Sequence, residues 1–301
     1  MLLISGDPNL LKEGTGAYER LMLQRSAVDS AEVILWPKEL FKPFLINGPF
    51  DVVTSQDPFW RGIVAWLAAK RLGARLNVQV HADLNAQSLV KHVLSKIVLR
   101  HADTVRAVSQ KLKEQVQRET AAPVSVLPVF IYKNRFEGLH TGSPQGSRML
   151  WIGRFEDEKD PALALEVLKR VRELGVEARL VMLGDGSMKE VLREKAKKLW
   201  VEKYVEFPGW QEPLQYLKEA DVVLCTSRAE SFGASIVEAL AAGVAVVAPD
   251  VGVAREAGAI IAPRELLAEK AAQALRDHAQ GELKIPLLSR DAWANAWRES
   301  L

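Results

Sequence analysis

Short apolar runs alternate with amphipathic stretches from one end of this chain to the other, and that alternation constrains the fold more than any other feature. In the first half MLLIS, AEVILWP, FDVVTS, RLNVQVH, TVRAVS and PVSVLPV read as strands, with helical stretches near 15–27, 60–72, 86–101 and 109–119. The second half restarts with RMLWIG, ARLVMLG, YVEFPG, DVVLCTS, VAVVAP and AIIAP, with helices expected over 160–174, 187–199, 211–219, 233–242 and 264–279. Strand and helix in turn is the pattern of βαβ units and a parallel sheet. Between the halves GLHTGSPQGS, residues 138–147, is rich in Gly, Ser and Pro and lacks apolar periodicity, which marks a linker. The expectation is an α/β protein of two doubly wound domains, 1–138 and 148–287, joined by a linker at 139–147. A length of 301 residues agrees, at roughly 150 residues per domain.

Composition narrows the function. Lys and Arg number 40 against 38 Asp and Glu, too balanced for a chain whose main task is neutralising nucleic acid. Residues 1–140 hold 18 Lys and Arg against 13 Asp and Glu. Solvated helix faces account for that excess, and it also leaves open peripheral contact with an anionic membrane. No run reaches the 18 or so apolar residues needed to cross a bilayer, and MLLISG lacks the basic start of a signal peptide. A cytoplasmic protein is expected, with the inner face of the membrane as its peripheral option. The single cysteine, Cys225, sits in the apolar run DVVLC and reads as a small buried hydrophobe.

Ligands of doubly wound domains bind outside the carboxyl ends of the strands, so the loops after strands carry the candidate residues. The most informative is Ser227–Glu238, SRAESFGASIVE, which opens from a strand into a helix. With a helix starting near Gly233, Glu230 lies in the loop and Glu238 two turns into the helix. The amides of Ser231, Phe232 and Gly233 then face a positive helix end, a ready anion site. Two carboxylates beside it can accept hydrogen bonds from sugar hydroxyls. After the strand RMLWI come Gly153, Arg154 and Lys159, cations placed to neutralise a diphosphate. Pairing of Arg154 with Glu156 or Asp157 is the structural alternative. Gly184, Asp185 and Gly186 make a second glycine loop at a strand end, and most such loops are only turns. In the first domain Gly14, Thr15 and Gly16 open a helix, where glycines admit a ligand or shape the turn. His81 ends the strand RLNVQV, where it can hydrogen-bond a sugar or handle a proton.

Several classes lose support. The chain has no G-x-x-x-x-G-K-[ST] loop, no G-x-G-x-x-G after a strand, no G-x-S-x-G elbow and no Cys/His metal cluster, which disfavours ATPases, dinucleotide dehydrogenases and α/β hydrolases. An Asp-x-Asp metal motif is missing too. The trio Glu156-Asp157-Glu158 reads as acidic residues near a helix amino end.

Together these segments resemble the retaining glycosyltransferases of the GT-B fold, family 4, also called glycosyl transferases group 1. The likeness is strongest over 149–279, through WIGRFEDEKDPALALE, RLVMLGDGSMKEVL, VEFPGW and the E-x7-E segment ADVVLCTSRAESFGASIVEALAAGVAVVAPDVGVARE. The closing segment SRDAWANAWRESL resembles the helix with which such chains cross back, giving 288–301 as a helix on the first domain. The resemblance implies two Rossmann-like domains facing a cleft and transfer of a sugar from a nucleotide-diphosphate sugar to a glycan, lipid-linked or small-molecule hydroxyl, with retention, no cofactor and no metal. Arg154 and Lys159 would hold the diphosphate with the amides of Ser231–Gly233. Glu238 would hold the ribose, Glu230 the transferred sugar, and Trp210 would stand at the turn toward the base. Gly14–Gly16 would cover the diphosphate, and His81 would lie near sugar and acceptor.

Departures from the family pattern stand at Pro128-Val129-Phe130-Ile131-Tyr132, at Val251-Gly252-Val253, and at Asp160, where Gly is frequent. They keep two alternatives in view: a degenerate GT-B protein that binds a sugar nucleotide or partner without transfer, and a nucleotide-sugar epimerase or phosphorylase. The alternatives separate by experiment: an epimerase needs no acceptor, a phosphorylase needs phosphate, and a degenerate protein turns over nothing.

Overall fold

The computed structural model describes residues 1–136, 138–139 and 147–301, so most of the linker expected at 139–147 lies outside the described residues. The chain divides into two compact units, Met1–Phe130 with Leu288–Leu301, and Ile131–Leu287. The division falls ahead of residue 138. Within the second unit an ion pair of 3.3 Å joins Arg135 to Glu212.

The first unit is a six-stranded parallel sheet of β1 (Leu2–Ser5), β2 (Glu32–Leu35), β3 (Val52–Ser55), β4 (Arg75–Val80), β5 (Thr104–Ala107) and β6 (Val124–Val126), in the order β2-β1-β3-β4-β5-β6. The helices α1 (Gly16–Ser26), α3 (Trp60–Leu72), α4 (Leu89–Arg100) and α5 (Gln110–Val116) occupy the expected stretches, and a one-turn helix α2 (Lys42–Leu45) was not expected. Strands β1 and β3 are buried along their whole length, as a sheet covered on both faces requires. The chain leaves β1 in one direction to β2 and in the other to β3, so the switch point lies between β1 and β3.

The second unit holds β7 (Arg148–Ile152), β8 (Arg179–Leu183), β9 (Val205–Gly209), β10 (Val222–Leu224), β11 (Ala245–Ala248) and β12 (Ile260–Ile261), all parallel in the order β12-β11-β10-β7-β8-β9. Its helices are α6 (Pro161–Glu173), α7 (Lys189–Lys198), α8 (Leu214–Glu219), α9 (Ala234–Ala241), α10 (Ala254–Ala257) and α11 (Leu267–Arg276). The last falls short of the expected 264–279, because Arg264–Leu266 form a 3-10 turn and His278 takes a left-handed φ of 47°. Counted within the unit, this is the strand order of dinucleotide-binding sheets, with its switch point between β7 and β10. Trp151 and Phe155 anchor the core beneath that point, their ring centroids 5.7 Å apart.

The closing helix α12 (Arg290–Glu299) belongs to the first unit. Ser289 caps it by accepting from the Ala292 amide at 3.2 Å, and Trp293 and Trp297, four apart and therefore on one face, are both buried. The Trp293 indole N–H donates to the Pro128 carbonyl at 2.8 Å. Beyond the helix, Asn77 donates to the Ser300 carbonyl at 2.8 Å and Thr104 to the Leu301 carbonyl at 3.0 Å, stitching the end of the chain to β4 and β5.

Candidate active site

At the second switch point two loops meet, Gly153–Asp160 after β7 and Cys225–Gly233 after β10. Thr226 binds them together: its hydroxyl donates toward the Lys159 and Asp160 carbonyls at 3.0 and 2.8 Å and accepts from the Trp151 indole at 2.8 Å. The Arg228 amide donates to the Glu158 carbonyl at 2.9 Å. On this base the Lys159 ammonium sits 2.5 Å from Glu230 Oε1, and the Ser227 hydroxyl donates to the same oxygen at 2.7 Å. Both members of the pair are largely buried, at 21% and 11% side-chain exposure. The structure therefore brings Lys159 and Glu230 together, but leaves Arg154 apart, 62% exposed and paired with Glu158 four residues on, not with the expected Glu156 or Asp157.

Asp160 explains the departure from glycine at its position. It takes a left-handed φ of 45°, caps α6 by accepting from the Leu163 amide, and pairs with Arg264 and, at 3.0 Å, with Arg228. Arg264 also donates to the Thr226 carbonyl at 2.6 Å. A buried carboxylate with two guanidinium partners keeps the β7 and β10 loops in register.

The helix α9 starts at Ala234, capped by Gly233 at φ 91° with no side-chain acceptor. The Ile236 and Val237 amides donate to the Gly233 carbonyl at 3.0 and 3.2 Å, while the amides ahead of them lie at the positive end of the helix, where no earlier turn supplies a carbonyl. Glu238 is about one turn into α9, not two, because only four residues separate it from Ala234 and a turn takes 3.6. Gly252 supports this loop from behind: at φ 53° its missing Cβ would stand 2.4 Å from the Phe232 carbonyl oxygen, so the altered segment Val251-Gly252-Val253 still holds glycine where close approach demands it.

The glycine loop of Gly184, Asp185 and Gly186 serves packing. A Cβ on Gly184 would lie 1.8 Å from the Gly153 carbonyl oxygen, and one on Gly186 2.6 Å from that of Phe155. Phe155 and Asp185 are joined through backbone at 2.9 Å. The Glu156 carboxylate accepts from the Ser187 amide at 3.0 Å and from its hydroxyl at 2.8 Å, which lowers its pKa. Asp185 is lowered likewise, by Lys189 first and then by the Gly186 amide. Trp210, just beyond β9, is 67% exposed. Burial raises the Cys225 thiol, as its reading as a small hydrophobe requires.

The remaining expected residues lie in the first unit. Thr15 caps α1 by accepting from the Tyr18 amide at 3.2 Å, and Gly14 precedes it at φ 78°. His81 lines a cavity of about 250 Å³ within this unit, whose walls include Asp7 after β1 and Gln56 after β3. That cavity sits at the first switch point. The protein around His81, and then the guanidiniums of Arg106 and Arg20, push its pKa down to about 3. His81 is neutral at neutral pH, and its Nε2–H donates to Gln79 Oε1 at 3.3 Å.

Sequence reasoning missed Thr226 and Arg264 in the second unit, and Arg106, Arg20 and Gln24 in the first, and it gave Ser227, at the head of the segment it singled out, no role of its own. A signal existed for Arg106 alone, a cation inside the apolar strand TVRAV. Among the described residues no group of three or more His, Cys, Asp or Glu side chains could hold a metal ion, and no helix is long and apolar enough to cross a membrane.

Two doubly wound parallel units with these loops at their switch points form the fold of the GT-B glycosyltransferases. Solved structures with the same fold include Anabaena HepE in complex with UDP and glucose, at TM-score 0.73 and 18% identity over 99% of this chain and 93% of that one. Sucrose-phosphate synthase from Thermosynechococcus elongatus matches at TM-score 0.74 and 16% identity, with the same coverage of 99% and 93%.

The sequence model described as "Glycosyl transferases group 1" matches residues 142–298, and "Glycosyl transferase 4-like domain" matches 17–129; the chain belongs to the glycosyl transferases group 1 family. A Bacillus subtilis (strain 168) protein named for glycosyl transfer in teichuronic acid biosynthesis is 29% identical over 60% of this chain and 46% of its own. The D-inositol 3-phosphate glycosyltransferase of Streptomyces scabiei is 29% identical over 68% of this chain and 54% of its own. This chain thus spans about half the length of these curated relatives.

Proposed function

We propose that the protein is a retaining glycosyltransferase that moves a sugar from a nucleotide-diphosphate sugar to a hydroxyl of a glycan, lipid-linked or small-molecule acceptor. The observation that carries this reading is the Lys159–Glu230 pair at 2.5 Å beside the uncapped start of α9. A cation and helix amides at one strand end suit a diphosphate, and a carboxylate beside them suits sugar hydroxyls. In this reading Lys159, Arg154 and the amides of Ser231–Gly233 stabilise the departing diphosphate without a metal. Glu238 holds the ribose, Glu230 the transferred sugar, and Trp210 and the Gly184–Gly186 turn border the base. The bond from the anomeric carbon to the diphosphate breaks as the bond to the acceptor oxygen forms on the same face, and the acceptor's hydroxyl proton passes to the departing diphosphate oxygen. The roles of Gly14, Thr15, Gly16 and His81 toward diphosphate, sugar and acceptor belong to the same proposal, as does the cytoplasm as the place of action. The family membership and the relatives' names support it, and HepE's complex with UDP and glucose suggests a uridine nucleotide.

Peripheral attachment to an anionic membrane is part of the proposal. On α4 Leu89, Val93 and Ile97 form an exposed apolar stripe, with Val90 beside it and Lys91, Lys96 and Arg100 on the same helix, the composition of an interfacial helix.

The test is turnover with a panel of nucleotide sugars and acceptors, with and without EDTA, followed by anomeric proton spectroscopy of the product. The reading expects an acceptor-dependent release of nucleoside diphosphate, unchanged by EDTA, and an α-linked product from an α-linked donor. Release without acceptor, an inverted product or complete loss in EDTA would count against it.

A further inference from the structure

A third loop reaches the second switch point. It follows β12, where Arg264 opens a 3-10 turn, Arg264–Leu266, directly after Pro263. The backbone is fixed there: the Leu266 amide donates to the Pro263 carbonyl at 2.9 Å, and Leu267, the next residue, is buried. From this fixed point the guanidinium divides its two ends. One nitrogen donates to the Thr226 carbonyl at 2.6 Å, and another pairs with the Asp160 carboxylate. In the sheet order β12-β11-β10-β7, one side chain thus links the loops after three of four neighbouring strands.

The two residues it grips are chain neighbours of the charged pair's network. Asp160 directly follows Lys159, and Thr226 directly precedes Ser227, whose hydroxyl donates to Glu230 Oε1 at 2.7 Å. Asp160 and Thr226 are both buried, and the Thr226 hydroxyl donates to the Asp160 carbonyl at 2.8 Å. Arg264 closes this into a ring, from guanidinium to Asp160 carboxylate, from Asp160 carbonyl to Thr226 hydroxyl, and from Thr226 carbonyl back to guanidinium. A planar fork can set two loops at once, whereas an ammonium is a point charge. Arg228 supplies the contrast: it pairs with the same carboxylate at 3.0 Å, but its side chain is 56% exposed, where solvent weakens such a pair.

We propose that Arg264 is a positioning residue of this site: its fork sets the loops after β7 and β10 so that Lys159 and Glu230 meet. Asp160, standing where the family often has glycine, gives the fork its acceptor. A misplacement of about 1 Å can cost a reaction about a hundredfold, so a residue that touches no ligand acts on the site through the pair. That the pair receives a donor diphosphate rests on the transferase reading; the control of the pair by Arg264 does not.

Calorimetric titration of the intact chain and its variants with UDP tests it. Arg264→Gln should bind UDP tenfold or more weakly than the parent. Arg264→Lys, which keeps the charge and loses the fork, should stay within about threefold of Arg264→Gln. Arg228→Gln takes the same charge from the same carboxylate and should weaken UDP by less than about threefold. Added to Lys159→Ala, Arg264→Gln should cost nothing further, because Arg264 acts through Lys159. Losses that multiply in that double variant, parent-like binding in Arg264→Gln, full recovery in Arg264→Lys, or an equal loss in Arg228→Gln would overturn the proposal. A crystal structure of either Arg264 variant reads the pair without any ligand. The Lys159–Glu230 distance should open beyond about 4 Å, and a pair unchanged at 2.5 Å would overturn the proposal. A parent that binds no nucleotide, with the pair opened in the variant, would count against the transferase reading alone.

Discussion

The ammonium of Lys159, seven residues beyond β7, lies 2.5 Å from the carboxylate of Glu230, six residues beyond β10, so one ion pair spans the switch point of the second sheet. Each loop contributes one charge, and neither is placed correctly unless both loops are. This makes the pair a test of the site and of the fold around it.

Lys159→Ala should leave Glu230 with the Ser227 hydroxyl as its remaining partner in the pair network. An incompletely compensated, partly buried carboxylate costs about 1–3 kcal/mol, read as a lower thermal midpoint. The same variant should bind nucleoside diphosphates at least tenfold more weakly. Unchanged binding would remove Lys159 from the donor site.

Asp160→Ala removes the α6 cap and the shared partner of Arg264 and Arg228. Losing a cap costs about 0.5–2 kcal/mol, and a left-handed backbone without glycine or Asp adds to it. Chemical denaturation should show a loss of about 2 kcal/mol or more, while Asp160→Gly, which relieves the backbone, should lose less. Equal stability of both variants and the parent would contradict the account.

Gly184→Ala should be among the most damaging small substitutions in the second unit. Its Cβ would meet the Gly153 carbonyl oxygen at 1.8 Å, an overlap relieved only by shifting the loop that bears Arg154 and Lys159. Overpacking of this kind costs about 1–3 kcal/mol or more. The midpoint of unfolding checks it, and donor affinity should fall with it.

His81 supplies a pH dependence. An ordinary histidine gains its proton near pH 6.5, whereas His81 in the folded chain is held down to about 3. Between these values the unfolded chain binds a proton that the folded chain does not, so stability falls as pH drops from 6.5 toward 3. Above 6.5 both states are neutral and the group contributes no slope. Relative to His81→Asn, the parent should lose stability on acidification, and its imidazole resonances should stay at their neutral positions at pH 5. Titration of those resonances near 6.5 would contradict this.

The sheets were legible in the sequence because strands buried on both faces are written as unbroken apolar runs: MLLIS contains β1 and RMLWI coincides with β7. The one-turn helices α2 and α10 were not, since four residues carry no periodicity. The Gly184–Gly186 loop could be read, but its reason could not, because the clash it avoids is with Gly153, on another strand. Asp160 read as a departure, and only its two arginine partners, distant in sequence, show why it is there. Arg106 was hidden inside TVRAV: the strand was evident, and the cavity it faces is assembled from residues as far apart as Asp7 and Trp293.

The most direct test of the central claim is the thermal midpoint of the purified chain with UDP, GDP, ADP and TDP, with and without Mg²⁺, beside Glu238→Ala. A ligand that binds only the folded state raises the midpoint by mass action. The account predicts one nucleotide that raises it without Mg²⁺, and loss of that rise in Glu238→Ala. A chain indifferent to all four nucleotides would contradict the donor site at the β7–β10 switch point.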